Sequence, residues 1–180
     1  VASLFLAIFS LGVAIGSVAI NRLLKGQVSA RYATASVLAM GLFVVVFYYL
    51  SVRWPALPGD RLYDIGAFMV HPGAWPLLGA LLGIAVAGGM FVVPLYAFLT
   101  TTVPKAQAAR TVAANNIVNS GAMVAGSLLA VGMSVAGMPT ADQLLLAAAM
   151  CLISAWLAWK LHKACDDGAC VDAEDLPPDV

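Results

Sequence analysis

IGAFMVHPGAWPLLGALLGIAVAGGMFVVPLYAFLTTTVP, residues Ile65 to Pro104, contains no Asp, Glu, Lys or Arg. A bilayer core about 30 Å thick is crossed by about 20 apolar residues rising about 1.5 Å each. This stretch holds one such crossing and leaves room for an amphipathic approach. The pattern repeats outward from it. Val1 to Asn21, Tyr32 to Val52, Thr111 to Ala141 and Gln143 to Trp159 are equally free of charge. Only 10% of the 180 residues are charged, 62% are hydrophobic, and the mean hydropathy is +0.95. A soluble domain carries roughly 25% charged residues. Lipid tails accept apolar side chains, and a helix satisfies its own backbone hydrogen bonds. The expected fold is therefore an all-α membrane protein with five transmembrane helices, at about 2–21, 33–51, 75–99, 109–136 and 141–161.

The formal net charge of zero hides what the positions reveal. The first gap carries Arg22, Lys25 and Arg31, the third Lys105 and Arg110, and the segment after the last helix Lys160 and Lys163. These are seven of the nine basic residues; the second gap holds Arg53 and Arg61, and the fourth holds none. Lys and Arg near helix ends favour the cytoplasmic side. The alternation predicts an outside N-terminus and a cytoplasmic C-terminus in a multi-pass protein of the bacterial inner membrane.

The second gap is the long one. Within it DRLYDIGAFMVHPGAW, residues 60–75, reads as a short amphipathic helix at the outer surface, with Trp54, Tyr63, Phe68 and Trp75 at headgroup level. His71, beside Pro72, reads as an interfacial loop residue. Residues 1–163 form the transmembrane unit, and the acidic end, 164–180, reads as a disordered cytoplasmic tail. The chain opens on Val1 and enters a helix without a basic signal-peptide region, which reads as a piece of a longer protein or a gene lacking its start. Cys151 lies in an apolar run as a packing residue. Cys165 and Cys170, even with His162, fall short of the four ligands of a structural zinc site. No metal and no cofactor are expected.

None of the runs contains an ionisable Asp, Glu, Lys or Arg, the group that ion-coupled pumps keep at mid-membrane. No paired carboxylates, nucleophile–base pair or phosphate-binding glycine loop is present, so no enzyme activity is expected. No basic patch offers a nucleic-acid surface. The helices carry small residues at close spacing instead: Gly12 and Gly16, Gly79 and Gly83, then Gly88 and Gly89, and Gly121, Ala125 and Gly126. Small residues allow close helix approach in lipid, where packing drives association. Gly88, Gly89 and Pro94 also mark a helix able to bend, since proline removes a backbone hydrogen bond. The fourth run opens with RTVAANNIVNS. Asn115 and Asn119 share one face, Asn116 and Ser120 the adjacent one. Amides are costly in lipid and face protein or a water-filled path. They read either as interhelical hydrogen-bonding glue or as the lining for a polar headgroup, with Arg110 just before them.

GGMFVVPLYAFL (88–99), a short basic gap and RTVAANNIVNSGAMV (110–124) resemble the last third of bacterial lysophospholipid transporters of the major facilitator superfamily. LFLAIFSLGVAIGSVAINRLLKG (4–26) resembles the eighth helix of that family and its cytoplasmic exit. The resemblance covers nearly all of residues 1–162 and makes the five helices the eighth to twelfth of twelve. The cytoplasmic loop motif falls on Ser17, Asn21, Arg22 and Lys25. It departs from the family at Asn21, where an acid is expected before the Arg, and at Ser17, where a Gly is usual. A gating salt bridge therefore lacks its acid at position 21.

The resemblance implies a carrier moving lysophospholipids to the inner leaflet for reacylation. Its partners would be membrane lipids, the N-terminal half of the transporter, and an acyltransferase that some relatives carry on the same chain. The absence of intramembrane charge fits a zwitterionic amphiphile better than a small cation. Two alternatives share these helices. One is an efflux carrier for drugs or other small solutes, which a mid-membrane Asp or Glu in the N-terminal half would favour. The other is the membrane portion of a fused phospholipid acyltransferase, which a downstream His-x4-Asp motif would favour.

Overall fold

The computed structural model describes residues 1–23, 32–55, 64–101, 103 and 105–166. Six helices account for nearly all of them: α1 (Ala2–Leu23), α2 (Ala33–Val52), α3 (Ile65–Val70), α4 (Ala74–Thr101), α5 (Lys105–Val135) and α6 (Gln143–Asp166). No strand occurs among the described residues. Among the described residues five helices are long and apolar enough to cross a membrane, and α3 is a short helix leading into α4. The chain is thus an all-helical, membrane-embedded protein.

Helix ends follow local chemistry. α5 begins at Lys105, ahead of the expected 109, because KAQAAR consists largely of strong helix formers. It ends in a Schellman motif. Gly137 takes φ +83°, its N–H donates to the Ser134 carbonyl at 3.1 Å, and the Met138 N–H reaches the Met133 carbonyl at 3.0 Å. Only glycine adopts that backbone without steric cost. The Gln143 amide then donates to Ser134 Oγ at 2.9 Å across the turn into α6. α6 continues to Asp166, so the first residues expected in the tail are helical, while 167–180 lie outside the described residues. Near its end Lys160 sits 5.5 Å from the Trp156 ring centre and Lys163 5.7 Å from that of Trp159. Such i, i+4 pairs place an aromatic ring beside a snorkelling ammonium, as at a membrane interface.

The packing order is α1–α4–α2–α6, with α4 and α2 in the middle and α5 on the flank of α4. The α1–α4 crossing is the tightest. A Cβ on Gly12 would lie 2.5 Å from that of Ala85, and one on Gly16 would fall onto the Val86 carbonyl. A Cβ on Gly89 would lie 2.6 Å from the Val13 carbonyl oxygen. Gly12 and Gly16 therefore face Ala85 and Gly89, two small-xxx-small pairs meeting backbone to backbone. On its other side α4 receives Phe43 of α2 at Gly83. Gly79, the partner of Gly83 in the sequence spacing, has nothing within 4 Å of its Cβ position, and neither have Gly121 and Gly126 of α5. α2 packs on α6 through Val37, Cys151 and Ala155, with Met40 and Phe91 against them.

Candidate functional site

α5 sets the geometry of the candidate site. No residue from Gln107 to Val135 is buried. Asn116 and Asn119 are exposed, Asn115 is half-buried, and Ser120 is exposed. Four polar side chains thus stand on a helix that reads as membrane-spanning, with little of the chain packed over them. From α4, the Tyr96 hydroxyl donates to Asn116 Oδ1 at 3.0 Å. The bond fixes the amide so that its N–H2 end turns away from Tyr96. An amide held this way offers two donors to an incoming acceptor oxygen. Tyr96 lies in the PLYAFL segment. Its signal was a phenol in an otherwise apolar stretch, since a tyrosine hydroxyl shielded from water seeks a partner.

Arg110 is exposed and sits one turn and more before the amides on the same helix. At about 1.5 Å per residue it lies roughly 7.5 Å below Asn115 along the axis. At 3.6 residues per turn its Cα faces away from that of Asn119. The structure brings Tyr96 to the amide cluster and leaves Arg110 at its edge.

The helix-bending candidates separate. α4 runs unbroken through Pro94, which is fully buried. Gly89 is buried against α1, where its Cβ position also lies 3.1 Å from the Ser17 nitrogen. Gly88 is looser, with Met40 Sδ at 3.6 Å. In the loop motif Ser17 returns its hydroxyl to the Val13 carbonyl at 2.8 Å, on the α4-facing side of α1. Asn21 and Arg22 are exposed at the end of α1, and Lys25 lies outside the described residues.

A second feature occupies the opposite end of the bundle. A cavity of about 740 Å³ is lined by residues from the start of α1, the end of α2, α3, the start of α4 and the turn into α6, Phe5, Phe47, Trp54 and Phe68 among them. This lining draws the chain start, the second gap and the fourth gap to one end, as alternating crossings require. Trp54 stacks on Phe68 at 5.1 Å and touches His71 at 4.4 Å. Phe5 meets Phe68 edge-on at 5.7 Å. His71 Nδ1 accepts the Gly73 N–H at 3.1 Å, ahead of α4. Within the stretch 60–75 the structure has a short helix, α3, over Ile65–Val70, with Phe68 buried; Tyr63 lies outside the described residues. Tyr48 donates to Asp142 at 3.2 Å and ties α2 to the turn before α6. Among the described residues no three His, Cys, Asp or Glu side chains gather as metal ligands. Compared with known proteins, the chain matches no family model, no curated protein and no solved structure.

Proposed function

We propose that this chain forms the C-terminal helices of a major facilitator-type carrier that moves lysophospholipids into the inner leaflet of a bacterial inner membrane. There an acyltransferase rebuilds the diacyl lipid. The chain start lies outside and the Arg22, Arg110 and Lys160 ends lie in the cytoplasm, following the asymmetry of basic residues. The stretches that carry the family resemblance fall on α1, α4 and α5.

The observation that carries the reading is α5. Its amides and Ser120 are scarcely covered by the chain's own helices, and polar groups at that depth are stable only against protein or water. A polar path between α5 and the other half of a carrier supplies both, since substrate paths in such folds run between repeats.

The test replaces Asn115 and Asn119 by Leu in the full gene product and measures initial lysophospholipid transport per folded protein. A large fall with the protein still in the membrane supports the path. Interhelical hydrogen bonds average about 0.6 kcal/mol each, so pure packing glue would lower stability modestly. A rate per folded protein equal to wild type would remove these amides from the path.

A further inference from the structure

From the Tyr96–Asn116 contact we infer that Tyr96 is a positioning residue: it holds the Asn116 amide with its two N–H donors turned outward, where they bind a phosphodiester oxygen of the substrate. The inference rests on the path proposed for α5 and deepens it by assigning a recognition chemistry.

Tyr96 and Asn116 lie on different helices, α4 and α5. Their hydroxyl-to-Oδ1 distance of 3.0 Å is that of an ordinary hydrogen bond. An unconstrained asparagine presents its oxygen or its nitrogen with equal ease. Here the oxygen is engaged by a donor, so the free end of the amide is donor-only. Both side chains are exposed, and no other polar contact of Asn116 occurs among the described residues. A donor-only amide on this exposed helix face selects acceptors over cations. An anionic phosphodiester oxygen is the strongest acceptor that a membrane amphiphile offers, because hydrogen bonds to ionised partners are roughly twice as strong as neutral ones.

Two substitutions separate positioning from packing. Tyr96→Phe keeps the ring and the Asn116 amide but frees the amide to rotate. Asn116→Asp keeps an acceptor for the Tyr96 hydroxyl, and with it the interhelical bond, but replaces the outward donors by a carboxylate oxygen. Equilibrium binding to the purified full gene product in maltoside micelles is read with three radiolabelled probes: lysophosphatidylethanolamine, a monoacylglycerol of the same acyl chain, and glycerophosphoethanolamine. Wild type is expected to prefer the lysophospholipid over the monoacylglycerol by about tenfold, the worth of one hydrogen bond to a charged group. Tyr96→Phe should lose a large part of that preference and Asn116→Asp all of it, with monoacylglycerol binding unchanged in both.

If glycerophosphoethanolamine binds as tightly as the lysophospholipid, the donor role stands and its ligand is a soluble phosphodiester. If Tyr96→Phe fails to fold, Asn116→Asp still decides whether the outward donors bind the phosphodiester, because it retains the bond, and Tyr96→Trp, which keeps a donor but moves it to the ring N–H, then tests the positioning. Preference equal to wild type in the folded variants, or no preference in wild type, overturns the assignment. Phosphate preference that Asn116→Asp abolishes, in a protein that moves no lysophospholipid in proteoliposomes, would leave this inference standing and remove the transport reading.

Discussion

Gly88 and Gly89 are neighbours on α4, and their replacement by alanine separates helix bending from helix packing. Both substitutions gain the same helix propensity, roughly 1 kcal/mol, and both stiffen the same turn. A bending role predicts similar effects. The structure predicts different ones. At Gly88 the added methyl meets Met40 Sδ at 3.6 Å, an ordinary contact. At Gly89 it lies 2.6 Å from the Val13 carbonyl oxygen, whereas ordinary contact begins at 3.4 Å. Backbone lies on both sides, so the helices must part by most of an ångström. A gap of about 0.5–1 Å forfeits a quarter to a half of each pairwise attraction, and the loss is shared along the Gly12–Gly16 seam. Overpacking of this kind costs about 1–3 kcal/mol, roughly a 5- to 150-fold change in the folding equilibrium. Gly89→Ala should therefore unfold more readily in detergent, while Gly88→Ala should match or exceed wild type. The assay is thermal or denaturant unfolding of the protein, with the initial rate of the proposed transport per folded protein measured alongside. Equal stabilities with equal losses of rate would refute the packing argument and return both glycines to a hinge.

Gly137→Ala places a side chain at φ +83° in the cap of α5 and should cost about 1–2 kcal/mol, read as a lowered unfolding midpoint; no change would show that the cap relaxes without cost. Cys165 and Cys170 should resist a membrane-impermeant thiol reagent added to intact cells and react once the membrane is permeabilised. Ready labelling from outside would reverse the orientation. Cys151, buried between α2 and α6, should stay unreactive until the protein unfolds.

Charge placement determined the fold class and the number of crossings, because the bilayer imposes one rule on every residue: a charge in the hydrocarbon is costly wherever its helix sits. The body of each long helix was legible as an uncharged run, and α3 falls in the residues ahead of α4 that the same run left over. Helix pairing was not legible, because in lipid it depends on which small residues meet across a crossing, and spacing along one helix does not specify the partner. Gly12–Gly16 and Gly79–Gly83 have the same spacing. The first meets Ala85 and Gly89 across a close crossing, while Gly79 of the second faces open space. The amides of α5 were visible as a costly polar cluster. Their link to Tyr96 spans two helices, and only the tertiary structure places that hydroxyl against Asn116. It likewise gathers Phe5, Phe47, Trp54 and Phe68 around one cavity, because contacts between segments distant in sequence follow from how the helices cross, which no single run encodes.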